Sequence, residues 1–314
     1  MRVYTTFDEP KRRRAALVVG IGNFDGVHRG HVRIIELVRR RAGAAGTAGL
    51  ITFSPHPRTV VKGEGEAVLT TLRQRLKLFR ELGIEACWVV PFDRKLARQD
   101  PGRFAAGVLR DRLGVKEICV GEGYRFGRDR SGDVRRLVVL GEELGFTVNE
   151  VAAVRDRGVR VSSSAIRKLI GAGEVAAAAR LLGRDYSLTG IVVRGEKLAE
   201  RWGYPTANFA PEQQPPACGV YAARIAVRDI LRDGVVYVGR RPTLFGERPR
   251  PLLAEAHIFD WEGSLYRRRI KVFLKKRVRG DITFNDLQSL FARVTIDVER
   301  ARAMLGKQHV SKGA

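Results

Sequence analysis

Cysteine is scarce in this chain: Cys87, Cys119 and Cys218 are scattered, odd in number and in no paired-ligand spacing. That excludes a disulfide framework and a thiolate zinc site, and points to a reducing cytoplasm. Acidic residues are also short, 34 Asp and Glu against 58 Lys and Arg, leaving a formal charge of +24. Apolar runs such as residues 15–19 fall far below the ~20 residues a membrane helix needs. The opening Met1-Arg2-Val3-Tyr4-Thr5 has no apolar core of a signal peptide. The expectation is a soluble cytoplasmic protein without a membrane partner.

What is present is globular: 44% apolar and 29% charged residues rule out a wholly disordered chain. A length of 314 residues exceeds one average domain, so two are expected. The cation excess favours polyanionic partners, whether nucleic acid, anionic lipid, nucleotides or phosphate esters, without choosing among them.

Along the chain, residues 15–19, 50–53, 86–90 and 117–120 read as strands. Residues 28–41, 72–82 and 101–113 read as helices between them. Such alternation predicts an α/β domain on a parallel sheet. Residues 163–182, interrupted by Gly171 and Gly173, read as two short helices. Beyond residue 184 come short strand-like segments at 187–193, 220–227, 235–239, 254–259 and 269–274, then a helical stretch at 287–305. That pattern predicts a small β-barrel or sandwich. The boundary is placed so that residues 1–184 form one domain and 185–314 the other.

The first constellation is a glycine-rich turn leaving the first buried strand and entering a helix. Free backbone N–H groups and the positive helix end there suit a phosphate. His28 and His31 lie three apart on the first helical turn, hence on one face, and Gly30 between them allows close approach. This suits nucleotidyl transfer, in which an already ionised phosphate attacks and catalysis reduces to orientation and charge stabilisation. A glycine-rich turn alone is often only a connection, and two histidines three apart could also hold a metal. His56, between Pro55 and Pro57, reads either as a rigid turn or as a ring-binding wall at the sheet's carboxyl edge.

In the second half, Thr206 and Asn208 alternate to one face of an extended segment. They offer a hydroxyl and a carboxamide oxygen, hard ligands suited to Mg²⁺ bridging ATP phosphates. As an isolated string, Pro-Thr-Ala-Asn also reads as a plain turn. A glutamate within a strand, such as Glu255, is ordinarily a solvated residue.

The string Gly22-Asn23-Phe24-Asp25-Gly26-Val27-His28-Arg29-Gly30-His31 resembles the signature of the bacterial bifunctional riboflavin kinase/FAD synthetase (FMN adenylyltransferase) family. Phe53-Ser54-Pro55-His56-Pro57 is similar to its second block, the segment 121–133 to its third, and Val161-Ser162-Ser163-Ser164-Ala165-Ile166-Arg167 to its fourth. Trp202-Gly203-Tyr204-Pro205-Thr206-Ala207-Asn208 resembles the kinase block. Gly219-Val220-Tyr221, Gly239-Arg240-Arg241-Pro242-Thr243 and Glu255-Ala256-His257-Ile258-Phe259-Asp260 follow in the family's order.

The resemblance implies a Rossmann-like nucleotidylyltransferase domain followed by a six-stranded antiparallel barrel with a terminal helix. It implies that riboflavin and ATP give FMN, and that FMN and ATP give FAD and pyrophosphate, with Mg²⁺ as cofactor. Catalysis is then carried by His28, His31 and Arg167 in the first half and by Glu255 as base in the second. Binding is implied at Gly22, Asn23, Phe24, Asp25, Gly30, His56, Tyr124, Ser163 and Ser164. In the kinase half it is implied at Gly195, Thr206, Asn208 and Arg279, with Thr206 and Asn208 as metal ligands. Phe284 and Asp281 match the segment that contains Arg279.

This chain departs from the family pattern in places. Ser164 stands for Thr, which keeps the hydroxyl, and Gly123 for Asp or Asn. In the kinase flap Ala199 replaces Gly and Glu200 replaces Arg, with Arg201 one residue away. Val238 replaces Asn and Arg267 replaces Gly. The alternative is therefore an FAD synthetase with a weakened or lost kinase. A basic nucleic-acid-binding protein on the same fold is the competing class, raised by Lys11-Arg12-Arg13-Arg14, Arg39-Arg40-Arg41 and the acid-free run 267–279. Such runs are ordinarily solvated faces, aromatics are sparse in them, and no nucleic-acid-binding motif is found. Nucleic acid is set aside as the primary partner; self-association is compatible with the sequence.

Overall fold

The computed structural model describes residues 1–7, 16–62, 67–195, 202–227, 230–240, 252–284 and 286–306. The chain divides into two compact units, Met1–Ser163 and Ser164–Ala314. The basic run 11–14, the flap residues 196–201 and residues 241–243 lie outside the described residues.

The first unit runs β1 (Arg2–Tyr4), β2 (Leu17–Ile21), α1 (Arg29–Ala42), β3 (Thr47–Ser54), α2 (Pro57–Lys62), α3 (Leu72–Glu81) and β4 (Ala86–Pro91). It continues through α4 (Arg94–Ala97), α5 (Pro101–Phe104), a π-wound stretch Ala105–Arg112 and β5 (Val115–Gly121). Then follow the ribbon β6 (Arg125–Phe126) with β7 (Gly132–Asp133), α6 (Val134–Leu144), β8 (Thr147–Val151) and the ribbon β9 (Arg155–Asp156) with β10 (Val159–Arg160). Six strands form one all-parallel sheet in the order β1-β4-β3-β2-β5-β8.

Alternate residues of the buried strands feed opposite faces. Val18, Leu50 and Cys87 pack with Ile34, Ile35 and Val38 of α1 and Phe79 of α3. Leu17, Val19, Ile51 and Trp88 pack with Phe104, Leu109 and Leu137 on the other side. Both faces are covered, as an all-parallel sheet requires. The chain moves from β2 to β3 and β4 in one direction, then returns to place β5 on the other flank of β2. The crevice at the carboxyl ends of β2 and β5 is thus the switch point where ligands of open α/β sheets bind.

The second unit begins with α7 (Ser163–Gly171) and α8 (Val175–Leu182), then β11 (Tyr186–Val193), β12 (Ala207–Phe209), β13 (Gly219–Val227) and β14 (Ile230–Gly239). It ends with β15 (Leu253–Ile258), β16 (Arg269–Gly280) and α9 (Leu287–Gly306). The six strands close into an antiparallel barrel in the order β11-β12-β15-β14-β13-β16. The sequence boundary at residue 184 assigns α7 and α8 to the first domain. In the structure Gln214 Nε2 donates to Arg167 O at 2.9 Å, and α8 packs on β11 and β16. On the barrel wall, Ala254, Ala256 and Ile258 point into a sealed interior, while Val220, Ala222 and Val235 face outward beneath Val298, Ala301 and Leu305 of α9.

Candidate functional site

In the first unit, Gly22 to His28 form the connection from β2 to α1. Gly26 has φ +86°, and Phe24 and Val27 also sit at positive φ, +49° and +40°. At the two non-glycine residues such backbone costs about 1–3 kcal/mol each and persists only where the surroundings enforce it. Here Phe24 and Val27 are sealed in the core. The Asp25 carboxylate, 2% exposed, accepts from Leu69 N and Thr70 N, both at 3.0 Å, and from Thr70 Oγ1 at 3.1 Å. Thr70 Oγ1 accepts in turn from Gly26 N at 2.8 Å, and Ser163 Oγ donates to Asp25 O at 2.8 Å. Asp25 thus anchors the loop.

His28 caps α1, its Nδ1 accepting from His31 N at 3.2 Å. The two imidazoles stack with centroids 3.6 Å apart and planes 17° apart, and Phe24 meets the His31 ring edge-on at 5.2 Å. No acid occupies the first turn of α1, so the positive end of that helix is uncompensated there. A Cβ on Gly30 would lie 3.2 Å from the His28 ring. Gly30 therefore makes room for that imidazole, a use the sequence reading assigned to an incoming ligand.

His56 is half-buried, and its carbonyl accepts from Thr59 N at 2.9 Å to open α2; Phe53 meets Phe92 edge-on at 5.6 Å. After β5, Tyr124 stacks on Phe126 at 5.7 Å, and burial pushes its phenol above the usual tyrosine range. Gly123 has φ +74° and its N–H donates to Glu150 Oε1 at 3.2 Å. Glycine, Asn and Asp are the residues that tolerate that backbone. The departure at 123 therefore keeps the turn while dropping a side chain. Ser164 and Arg167 belong to the second unit.

In the second unit, strand register places Asn208 opposite Glu255, Glu255 opposite Tyr237, Tyr237 opposite Val220, and Val220 opposite Arg279. Cross-strand partners share a face, so these residues form one row on the barrel's outer surface. Asn208 is buried, and its Nδ2 donates to Thr206 Oγ1 at 3.2 Å. A Cβ on Gly195 would lie 2.5 Å from Asn208 Nδ2 and 2.9 Å from its Cγ, so Gly195 leaves the space the carboxamide occupies. Glu255 is half-buried.

Beside it, His257 Nδ1 lies 2.9 Å from Pro205 O, and Tyr204 packs edge-on against the His257 ring at 5.3 Å. Burial lowers the His257 pKa, only partly offset by its bond to Pro205 O, so the ring is neutral and Nδ1–H donates. Trp202 and Tyr204 both rest on Phe291 of α9. Arg279 donates from Nε to the buried carboxylate of Asp297 at 2.7 Å and lies over the Phe284 ring. It ties β16 to α9.

Among the described residues no group of three or more His, Cys, Asp and Glu could hold a metal ion. Neutral oxygens are alternative donors for a divalent cation in the second unit. Thr206 and Asn208 offer two: one hydroxyl and one carboxamide lie 3.2 Å apart, and rotating the carboxamide presents Oδ1 on the same side.

The sequence reading missed Arg75. This arginine of α3 is 4% exposed and lies beneath the loop. Its Nη1 donates to Asn23 O at 2.6 Å and Thr52 Oγ1 at 3.0 Å, and Nη2 donates to Phe53 O at 3.3 Å. In sequence it looks like an exposed cation of an amphipathic helix, and a buried arginine leaves no local signal.

The family model for FAD synthetase matches residues 10–165, and that for riboflavin kinase matches residues 182–305. A bifunctional riboflavin kinase/FMN adenylyltransferase of Pseudomonas fluorescens is 35% identical over 91% of this chain and 92% of its own. One from Escherichia coli (strain K12) is 34% identical over 92% and 93%, and one from Bacillus subtilis (strain 168) is 31% identical over 93% of each. The crystal structure of a macrolide-efflux protein from Streptococcus pneumoniae superposes with a TM-score of 0.84 at 24% identity. It covers 96% of this chain and 98% of that one, and shows the same fold.

Proposed function

The chain belongs to the bifunctional riboflavin kinase/FMN adenylyltransferase family, and from that premise we propose which of its residues carry each reaction. Riboflavin and ATP give FMN and ADP in the kinase half. FMN and ATP give FAD and pyrophosphate in the adenylyltransferase half. We assign residues 1–184 to the second of these reactions and 185–314 to the first.

In adenylyl transfer the FMN phosphate, ionised at neutral pH, attacks the α-phosphorus of ATP. The new P–O bond forms as the bond to the bridging oxygen of pyrophosphate breaks. His28 and His31, stacked over the opening turn of α1, donate to the oxygens on which charge grows, and the N–H groups of that turn add to the same field. Gly22 and Asn23 line the nucleotide side, with His56 and Tyr124 toward the flavin; Phe24, sealed in the core, acts only by supporting the His31 ring. Ser163, Ser164 and Arg167 are assigned to this reaction on the family resemblance alone.

In the kinase reaction the riboflavin 5′-hydroxyl must lose its proton as it attacks the γ-phosphorus. Glu255 takes that proton. Thr206 and Asn208 would hold Mg²⁺, which when bound neutralises charge on the β- and γ-phosphates. Gly195 makes space for Asn208, and Arg279 fixes the strand against α9.

The observation that carries the reading is the His28–His31 pair at a helix N-terminus beside the sheet's switch point. The test is direct: purified chain with Mg-ATP and either riboflavin or FMN, products separated chromatographically. FMN and FAD from riboflavin support both activities; neither product from either substrate overturns the reading.

A second reading, a weakened kinase half, is favoured by Arg267. It stands at φ +61°, a left-handed position that suits the family's glycine, with its guanidinium over the Tyr266 ring at 5.4 Å. FAD from FMN but none from riboflavin would select this reading. The three unpaired cysteines, and the lack among the described residues of a helix long and apolar enough to cross a membrane, support a cytoplasmic assignment. Several cations of β16 are occupied: Arg269 by Glu212, Lys275 by Asp185 and Arg279 by Asp297. This supports small phosphorylated molecules rather than nucleic acid as partners.

A further inference from the structure

Resting on the adenylyltransferase reading above, we infer that Arg75 is a positioning residue for FAD formation: a buried cation that sets the spacing between the phosphate loop and the flavin-side segment.

The argument starts from cost. An arginine 4% exposed loses most of its hydration, and burial lowers its pKa despite the opposing pull of Asp25 and Cys87. Arginine keeps its proton even so, and a buried charge ordinarily sits against a carboxylate. Here the bonds go to neutral oxygens: Asn23 O, Thr52 Oγ1 and Phe53 O. Its Nε has no protein acceptor among the described residues.

Its acceptors are informative. Asn23 O belongs to the loop after β2, and Phe53 O to the end of β3 just before His56. Thr52 Oγ1 donates to Asn23 O at 3.1 Å and accepts from Arg75, closing a triangle. One planar guanidinium therefore fastens the carboxyl ends of two adjacent strands. Asp25 and Thr70 fasten the remainder of the same loop to the segment just before α3. The Arg75 fork fixes where Asn23 and Phe24 stand relative to Phe53. A shift of about 1 Å between reacting groups costs on the order of 100-fold in rate.

The bifunctional chain supplies its own control, because riboflavin phosphorylation reports on the other unit. Arg75→Met should lower kcat for FMN-to-FAD conversion by about 100-fold, the order that a displacement of about 1 Å between reacting groups costs. KM for FMN and ATP should move far less, and riboflavin phosphorylation should stay at the wild-type rate. Arg75→Lys, which keeps the charge but loses the fork, should recover part of that kcat.

The proposal is overturned if Arg75→Met adenylylates FMN at the wild-type rate. It is also overturned if the lysine variant does no better than methionine while both lose activity only in step with thermal unfolding. If the methionine variant does not fold, Thr52→Val and Arg75→Lys decide. Graded kcat losses in adenylylation alone support the role, and wild-type rates from both refute it. A wild-type chain that makes no FAD from FMN would defeat the functional reading itself, whereas an active wild type matched by Arg75→Met defeats only this inference.

Discussion

In the first unit the reactive loop is held from below. Thr70 and Arg75 take its backbone groups, and its Asp25 carboxylate takes Leu69 N and Thr70 N, through bonds that span 44 to 52 residues of sequence. In the second unit Asn208, Glu255 and Tyr237 are set side by side by strand register, and Arg279, paired with the buried Asp297, ties β16 to α9 at the end of that row. The chemistries proposed for the two units account for the difference. An ionised phosphate nucleophile needs only accurate placement and a fixed field, which a clamped loop supplies. A hydroxyl nucleophile needs a base beside it, and a row of cross-strand neighbours puts carboxylate, carboxamide and hydroxyl on one face.

The largest effect that would break this contrast is expected at the histidine pair. His28→Ala with His31→Ala should reduce FAD formation by about 1,000-fold or more, with riboflavin phosphorylation unchanged in the same preparation. Undiminished adenylylation would show that the helix end alone suffices. Next, Glu255→Gln should lower riboflavin phosphorylation by about 100-fold or more and leave FMN adenylylation intact. Equal losses in both assays would mean that Glu255 supports folding rather than chemistry.

A smaller effect concerns pH. The depressed His257 pKa means the unfolded chain binds the proton more readily. Its contribution is therefore complete above about pH 6.5, the ordinary histidine value, and is lost as pH falls through the folded-state value. Denaturation of the wild type followed from pH 7.5 to 5 should show this slope, and His257→Gln should flatten it. The smallest effect is expected at Arg267. Replacement by glycine relieves the left-handed backbone at the cost of the Tyr266 contact, and should raise stability by up to about 1 kcal/mol, read as a small rise in Tm. A fall in Tm would show that the ring contact dominates.

Elements with strong apolar patterning were legible from sequence: β2, α1, β4, β13 and α9 lie within a few residues of expectation. Others left little trace. β8 pairs through Thr147, Asn149 and Glu150 at a sheet edge, without the alternation that marks a strand. β12 is three residues long beside Pro205, and β1 is three residues long. β16 runs on to Gly280 because its inward residues stay apolar as far as Leu274 and pairing then continues across an irregular register. At the proposed sites, motif strings singled out His28, His31, Asn208 and Glu255 as candidates. They could not show that Asp25 faces inward to Thr70, that Gly30 serves the His28 ring, or that Arg75 is buried. Those facts depend on contacts between distant residues whose types are equally at home on a surface.

The closed barrel has one more consequence. A ring of strands leaves no open ladder onto which another chain can graft, so the second unit is guarded against strand-mediated clumping. The open sheet of the first unit ends in β1 and β8. β1 offers only three residues of rim, so Thr147–Val151 is the longer exposed seam, and a stray strand from a crowded, half-folded neighbour would attach there first.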